Sequence, residues 1–273
     1  FLAMWWCWLG HTFHGTRFDR DLPRQRLVGF LQIGAVTLIG YGVSAPLTER
    51  AWAFGTGIAA FKLLLALAYL AERRWSGAAG LIRVYASLYA VQALLWLAGA
   101  ALPAVRWACW ALALGLDLVS PWLVARHTAA VPPHPEHLPE RFGLFTIILL
   151  GEGMASVVHA LDHGEHIHAS GAVAAVAGAV LSFALWLAYF DRVKGHGERH
   201  VADAAAGRRM RLWAYGHVPL YMGIASLAAG TVALASPGAL TPTSAAIYLG
   251  GLLLTGVGLV LLGRARSGHA AIS

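Results

Sequence analysis

Three ionisable side chains, Lys62, Asp117 and Glu152, stand about ten residues inside long runs with almost no other charge. A carboxylate so placed can take up a proton, hold a cation or pair with a lysine. Glu152 lies between two glycines at the end of Glu140-Arg141-Phe142-Gly143-Leu-Phe-Thr-Ile-Ile-Leu-Leu-Gly151-Glu152-Gly153. If that stretch is a membrane helix, Glu152 is roughly 16 Å of rise beyond Arg141, near the middle of a hydrocarbon core ~30 Å thick. An ionisable group at that depth is costly, so it reads first as a functional site. Charges in hydrocarbon should turn toward other helices. Helical spacing puts Gly55, Ala59 and Ala66 on the Lys62 face, and Ala113 and Ser120 on the Asp117 face. The spacing predicts Lys62 paired with Asp117 or with Glu152, leaving one carboxylate free. The same residues would equally serve as an ion pair that sets helix register. Pro121 has no N–H, so it releases the carbonyl of Asp117, making either an incipient cation site or a simple kink.

The Glu152 face continues through Ala155, Ser156 and His159 to Asp162-His163-Gly-Glu165-His166-Ile-His168. This polar stripe reads as an access path for a proton or metal cation, or as a solvated loop with His159 at the interface. Its spacing matches no defined metal motif, which leaves metal binding undetermined. Cys7, His11 and His14 share a helix face, and the two histidines, one turn apart, could bind a metal or relay protons. In Arg17-Phe18-Asp19-Arg20-Asp21 the charges are expected to tie adjacent helices, with Asp19 reaching Arg141. The run His134-Pro-Glu136-His137 reads as a solvated loop. Phosphate-binding glycine loops, Ser-His-Asp ordering, Cys-x-x-Cys and His-Glu-x-x-His do not occur. Lys62 as a Schiff-base lysine rests on one residue alone, and no cofactor is expected. Cys7 and Cys109 fall at different depths of their runs, so no disulfide is expected.

The elements that must carry these groups are membrane helices. Apolar residues make up 58% of the chain and charged ones 12%, against about 45–50% and about 25% in soluble domains. The expected fold is all-α, a polytopic bundle with about nine transmembrane segments: 1–16, 27–47, 51–71, 84–102, 107–125, 143–161, 170–190, 212–235 and 244–263. Basic residues support the count. Arg17, Arg20, Arg24 and Arg26 follow the first segment; Arg73, Arg74 and Arg83 the third; Arg126 and Arg141 the fifth. Arg192, Lys194, Arg199, Arg208, Arg209 and Arg211 follow the seventh, and Arg264 and Arg266 the ninth. The opposite connections hold only Arg50 and Arg106. By the positive-inside rule the rich side and the C-terminus are cytoplasmic. The charge of +7 is thus topological, not a nucleic-acid surface, and the lipid bilayer is the expected partner. Residues 1–273 read as a single transmembrane domain. Because Phe1 already lies in an apolar segment, the chain reads as a fragment lacking a preceding helix. The pattern does not set an oligomeric state.

The run Glu136-His-Leu-Pro-Glu140-Arg-Phe-Gly-Leu-Phe-Thr-Ile-Ile-Leu-Leu-Gly-Glu152 resembles the signature segment of the bacterial low temperature requirement protein A (LtrA) family. The turn Arg17-Phe18-Asp19 is similar to that family's early turn, and the order of hydrophobic segments fits along the whole chain. The resemblance implies a multi-pass protein of the bacterial inner membrane. It brings no activity, substrate or cofactor. It marks Arg17, Phe18, Asp19, Glu140, Arg141, Phe142, Gly143 and Glu152 as matching positions. The family's opening acidic-aromatic motif, of the type Glu-Leu-Phe-Phe-Asp-Leu-Val-Phe-Val, does not occur here; its carboxylates would be further partners for Lys62 or Arg17. The leading functional expectation is a transporter of a small solute, proton or cation through a site at Glu152, Asp117 and Lys62. The alternatives are a non-transporting receptor or scaffold, and a lipid-modifying enzyme using His14, Asp19 and Arg141.

Overall fold

In lipid no water is available to the backbone, so a spanning segment closes its own hydrogen bonds as a helix. The computed structural model describes residues 1–18, 22–45, 48–74, 76–128, 131–162, 169–191, 204–235 and 241–266, with no strand among them. The α-helices are α1 (Leu2–Arg17), α2 (Pro23–Val43), α3 (Ala51–Ala71), α4 (Ala79–Ala101), α5 (Arg106–Leu123), α6 (Ala125–Thr128), α7 (His137–Asp162), α8 (Ala169–Tyr189), α9 (Ala204–Ala235) and α10 (Pro242–Arg266).

Seven of these, α2 to α4 and α7 to α10, are long and apolar enough to cross a membrane. The nine expected spans therefore reduce to seven that length and composition support. Of the two long helices left over, α1 has only 16 residues. The other, α5, carries Arg106, Asp117, Pro121 and three tryptophans, which lower its hydropathy. Helix ends also differ from the apolar runs. The second helix begins at Pro23, where a proline at the first helical positions sacrifices no hydrogen bond. The seventh begins at His137 and takes in Glu140 and Arg141. Hydropathy sees only the lipid-facing middle of a helix, and the polar turns at its ends belong to the same hydrogen-bonded ladder.

The chain divides into two compact units, the first built from α1 to α6 and the second from α7 to α10. In the first, α3 is central and packs on α1, α2 and α4, while α5 packs on α4. Close approach requires glycine: a Cβ at Gly42 of α2 would lie 2.5 Å from the backbone nitrogen of Phe54. The Trp110 indole donates to the Trp96 carbonyl at 3.2 Å, and Arg106 donates to the Gly99 carbonyl at 3.1 Å at the end of α4. These two bonds set how α5 lies on α4. In the second unit α9 and α10 form a tight antiparallel pair, with α7 and α8 packed on α9. There a Cβ at Gly258 would meet the Leu220 backbone nitrogen at 2.6 Å.

Candidate functional site

On α3 the buried face runs through Gly55, Ile58, Lys62, Leu65 and Tyr69. On α4 it runs through Tyr85, Tyr89, Gln92 and Trp96, and on α5 through Trp110, Ala113 and Asp117. These spacings of three and four residues aim all three faces into one core. There Lys62 Nζ donates to Asp117 Oδ1 at 2.6 Å, and Gln92 Nε2 donates to the same oxygen at 3.0 Å. The Lys62 side chain is 0% exposed and that of Asp117 3%. The ammonium also lies 5.3 Å from the centre of the Tyr89 ring. Of the two pairings open to Lys62, the fold makes the one with Asp117.

Pro121 releases the Asp117 carbonyl, and the Ser120 hydroxyl donates to it at 2.8 Å. The carbonyl expected to stand open beside the carboxylate thus has a local donor, which suits a tolerated kink more than a cation ligand.

From Lys62 an aromatic column leads along the same core. Tyr89 stacks on Tyr85 with ring centres 5.6 Å apart, and Tyr85 on Tyr69 at 4.8 Å. At its end Arg17 Nη1 donates to the Tyr69 hydroxyl at 3.4 Å. The guanidinium also lies over Phe13 and Tyr85, 5.1 and 5.4 Å from the ring centres. His14 is buried edge-on to Tyr69 at 4.9 Å and 5.2 Å from Phe18. Cys7 is buried in this unit, whereas His11 is only partly so. Cys7 and Cys109 are free thiols. Among the described residues no group of three or more His, Cys, Asp or Glu could hold a metal ion.

Glu152 sits elsewhere. The buried side of α7 is set by Leu138, Phe142, Thr146, Leu150 and Val157. At ~100° per residue Glu152 is roughly 200° round from Leu150, and its side chain is exposed. The expectation that it turns toward neighbouring helices is therefore corrected, because the large residues of α7 claim the opposite face. Ala155 is exposed and Ser156 half-buried. The His159 side chain, Asp19 and residues 163–168 lie outside the described residues, so the Asp19–Arg141 contact and the histidine-rich loop do as well.

The motif around Phe142 organises the second unit. Phe142 is fully buried, 4.5 Å from the Trp213 ring and 4.6 Å from His217. Its carbonyl accepts the Tyr221 hydroxyl at 2.8 Å and the Thr146 hydroxyl at 2.9 Å. His217 Nδ1 lies 2.8 Å from the Trp213 carbonyl and Nε2 3.1 Å from the Tyr189 hydroxyl. A carbonyl only accepts, so Nδ1 carries a proton and Nε2 accepts from Tyr189 when the ring is neutral. A Cβ on Gly143 would sit 3.5 Å from Phe190. Glu140 is exposed, 3.5 Å from His137 Nδ1, and Arg141 is half-buried. A cavity of about 20 Å³ lined by Leu150, Gly153, Ile224 and Thr231 has room for one water and no solute.

Sequence reasoning did not single out Gln92, Tyr69, Tyr85, Tyr89, Thr146, Tyr189, His217 or Tyr221. A signal existed for the α4 set: Tyr85, Tyr89 and Gln92 recur every three or four residues inside an otherwise apolar run.

The sequence profile described as bacterial low temperature requirement A protein (LtrA) matches residues 1–273. An uncharacterised protein of Rhizobium meliloti (strain 1021) is 26% identical over 289 residues, covering 97% of this chain and 68% of that one. No solved structure matches the chain.

Proposed function

We propose that this chain, which belongs to the bacterial low temperature requirement A family, is a membrane transporter that moves a small solute through its first unit. The observation that carries this reading is the Lys62–Asp117 pair at 2.6 Å, with the lysine side chain fully buried. Desolvating two charges costs several kcal/mol each, and apolar residues of similar volume would hold the same helices at least as firmly. Ionic groups kept at such depth are most economically read as parts of a path for solute or proton. Asp117 is the carboxylate of the site, Lys62 its counter-ion, and Gln92 the donor that holds it in place. On this reading α1 and α5 also cross the inner membrane, making nine spans, and the arginine-rich connections and the C-terminus are cytoplasmic. The polarity of α5 is then no obstacle to insertion, because Lys62 neutralises Asp117.

The test is flux into liposomes holding purified full-length protein. Asp117→Asn is expected to abolish solute-dependent flux, and the apolar pair Lys62→Met with Asp117→Leu is expected to fold but not transport. Flux at the wild-type rate in the double variant would reduce the pair to a helix clamp. One observation favours a second reading, a non-transporting receptor or scaffold: Lys62 has no exposed surface, as a permanent clamp would not. Liposomes in which the wild-type protein itself carries no solute would favour that reading. The lipid-modifying reading gains nothing, since His14 is buried under Tyr69 and Phe18.

A further inference from the structure

We propose that Arg17 is the centre of an anion site in the first unit, where α1, α3 and α4 meet, and that it binds a small oxyanion, a carboxylate or a phosphate.

Among the described residues of that unit four charged side chains are buried: Arg17, Lys62, Glu72 and Asp117. Two of them are neutralised by each other, Lys62 and Asp117 at 2.6 Å. Glu72 is neutralised by Arg24, at 2.6 Å. Arg17 is 7% exposed, and among the described residues no carboxylate lies within ion-pair distance of it. Its hydrogen bonding is equally incomplete. A guanidinium has five N–H donors. The Tyr69 hydroxyl takes one at 3.4 Å, the long end of the range, the Tyr85 hydroxyl stands as a second partner, and Nε is buried with no acceptor.

Two features soften this burial without cancelling the charge. The Phe13 and Tyr85 rings offer their faces to the guanidinium. Arg17 is also the last residue of α1, where the helix end carries a partial negative charge that falls off within a turn. Neither supplies a partner for Nε, which stays buried with no acceptor.

The surrounding groups are suited to complete such a ligand. Tyr69 accepts from Arg17, so its own O–H proton remains to donate. One turn back on α1, His14 Nε2 is buried with no partner. A planar guanidinium beside a phenol matches two oxygens of a carboxylate or phosphate, a geometry that lysine does not reproduce. The inference deepens the transport reading, and rests on it only for the claim that the bound anion is the cargo.

The experiment uses the full-length protein in vesicles and reads its thermal midpoint at constant ionic strength. In one arm acetate or inorganic phosphate replaces chloride in phosphatidylcholine vesicles. In the other, phosphatidylglycerol is added to the vesicles with neither anion present. A saturable rise of at least about 3 °C in either arm is expected, and the arm that responds tells a free anion from a lipid headgroup. Arg17→Lys should weaken the apparent affinity at least about tenfold, and Tyr69→Phe, which keeps the ring, should weaken it by several-fold. These two milder variants keep the test decisive if Arg17→Gln fails to fold. No saturable rise in either arm, or an unchanged rise in Arg17→Lys and Tyr69→Phe, overturns the site. A response without flux keeps the anion site and removes transport. Flux without a response keeps transport and removes the anion site.

Discussion

Each unit carries a buried polar network, and the two are built from different currencies. In the first, charge meets charge: Lys62 and Asp117 at 2.6 Å, with Arg17 among aromatic rings. In the second, the groups need carry no charge: Tyr221 and Thr146 on the Phe142 carbonyl, and His217 between Tyr189 and the Trp213 carbonyl. Hydroxyls and carbonyls that satisfy one another tie helices together at little desolvation cost. Ion pairs at the same depth stabilise less than apolar packing would, yet become strongly destabilising when halved. The contrast assigns a holding role to the second network and leaves the first as the place where chemistry has to be sought.

The largest effect expected from this comparison is at Lys62. Lys62→Met strands the Asp117 carboxylate and should lower stability by about 3–5 kcal/mol, while adding Asp117→Leu should restore most of it. Denaturant or thermal unfolding of the purified variants checks both. A single variant as stable as wild type would erase the distinction between the units. Next comes Tyr221→Phe. It removes one of two hydroxyl donors to the Phe142 carbonyl, for an expected loss of about 1 kcal/mol with no change in flux, because the Thr146 hydroxyl still reaches that oxygen. A transport defect in this variant would move function into the second unit. Smallest is Glu152→Gln on the exposed side of α7, expected to change stability by less than about 0.5 kcal/mol and to leave flux as it was. Loss of flux there would return the site to Glu152 and sink the choice of Asp117.

Much of this architecture was legible beforehand. The run 51–71 coincides with α3, because the flanking polar residues fall at its hydrogen-bonded ends. The run expected at 143–161 began six residues late, since Glu140 and Arg141 look like loop to hydropathy but form the first turns of α7. Among the described residues length and composition support seven spans: α1 is too short at 16 residues, and α5, which buries Asp117 in a protein core, need not be apolar on average. Asp117 was marked as inward-facing by its small neighbours Ala113 and Ser120. Glu152 is marked by its depth in the run, near the middle of a hydrocarbon core, and depth says nothing about direction. That was decided by Phe142 and Thr146, which meet Trp213, His217 and Tyr221 of α9.

By itself the sequence determined that these helices belong in a bilayer and which residues on them are too polar to be left facing lipid. Both follow from composition and from the local period of 3.6 residues. Only the tertiary structure decided that Lys62 meets Asp117, 55 positions away, and that Arg17 ends among tyrosines from two other helices. Which faces of distant helices touch depends on how glycines and large rings interlock across them, and no local pattern records that.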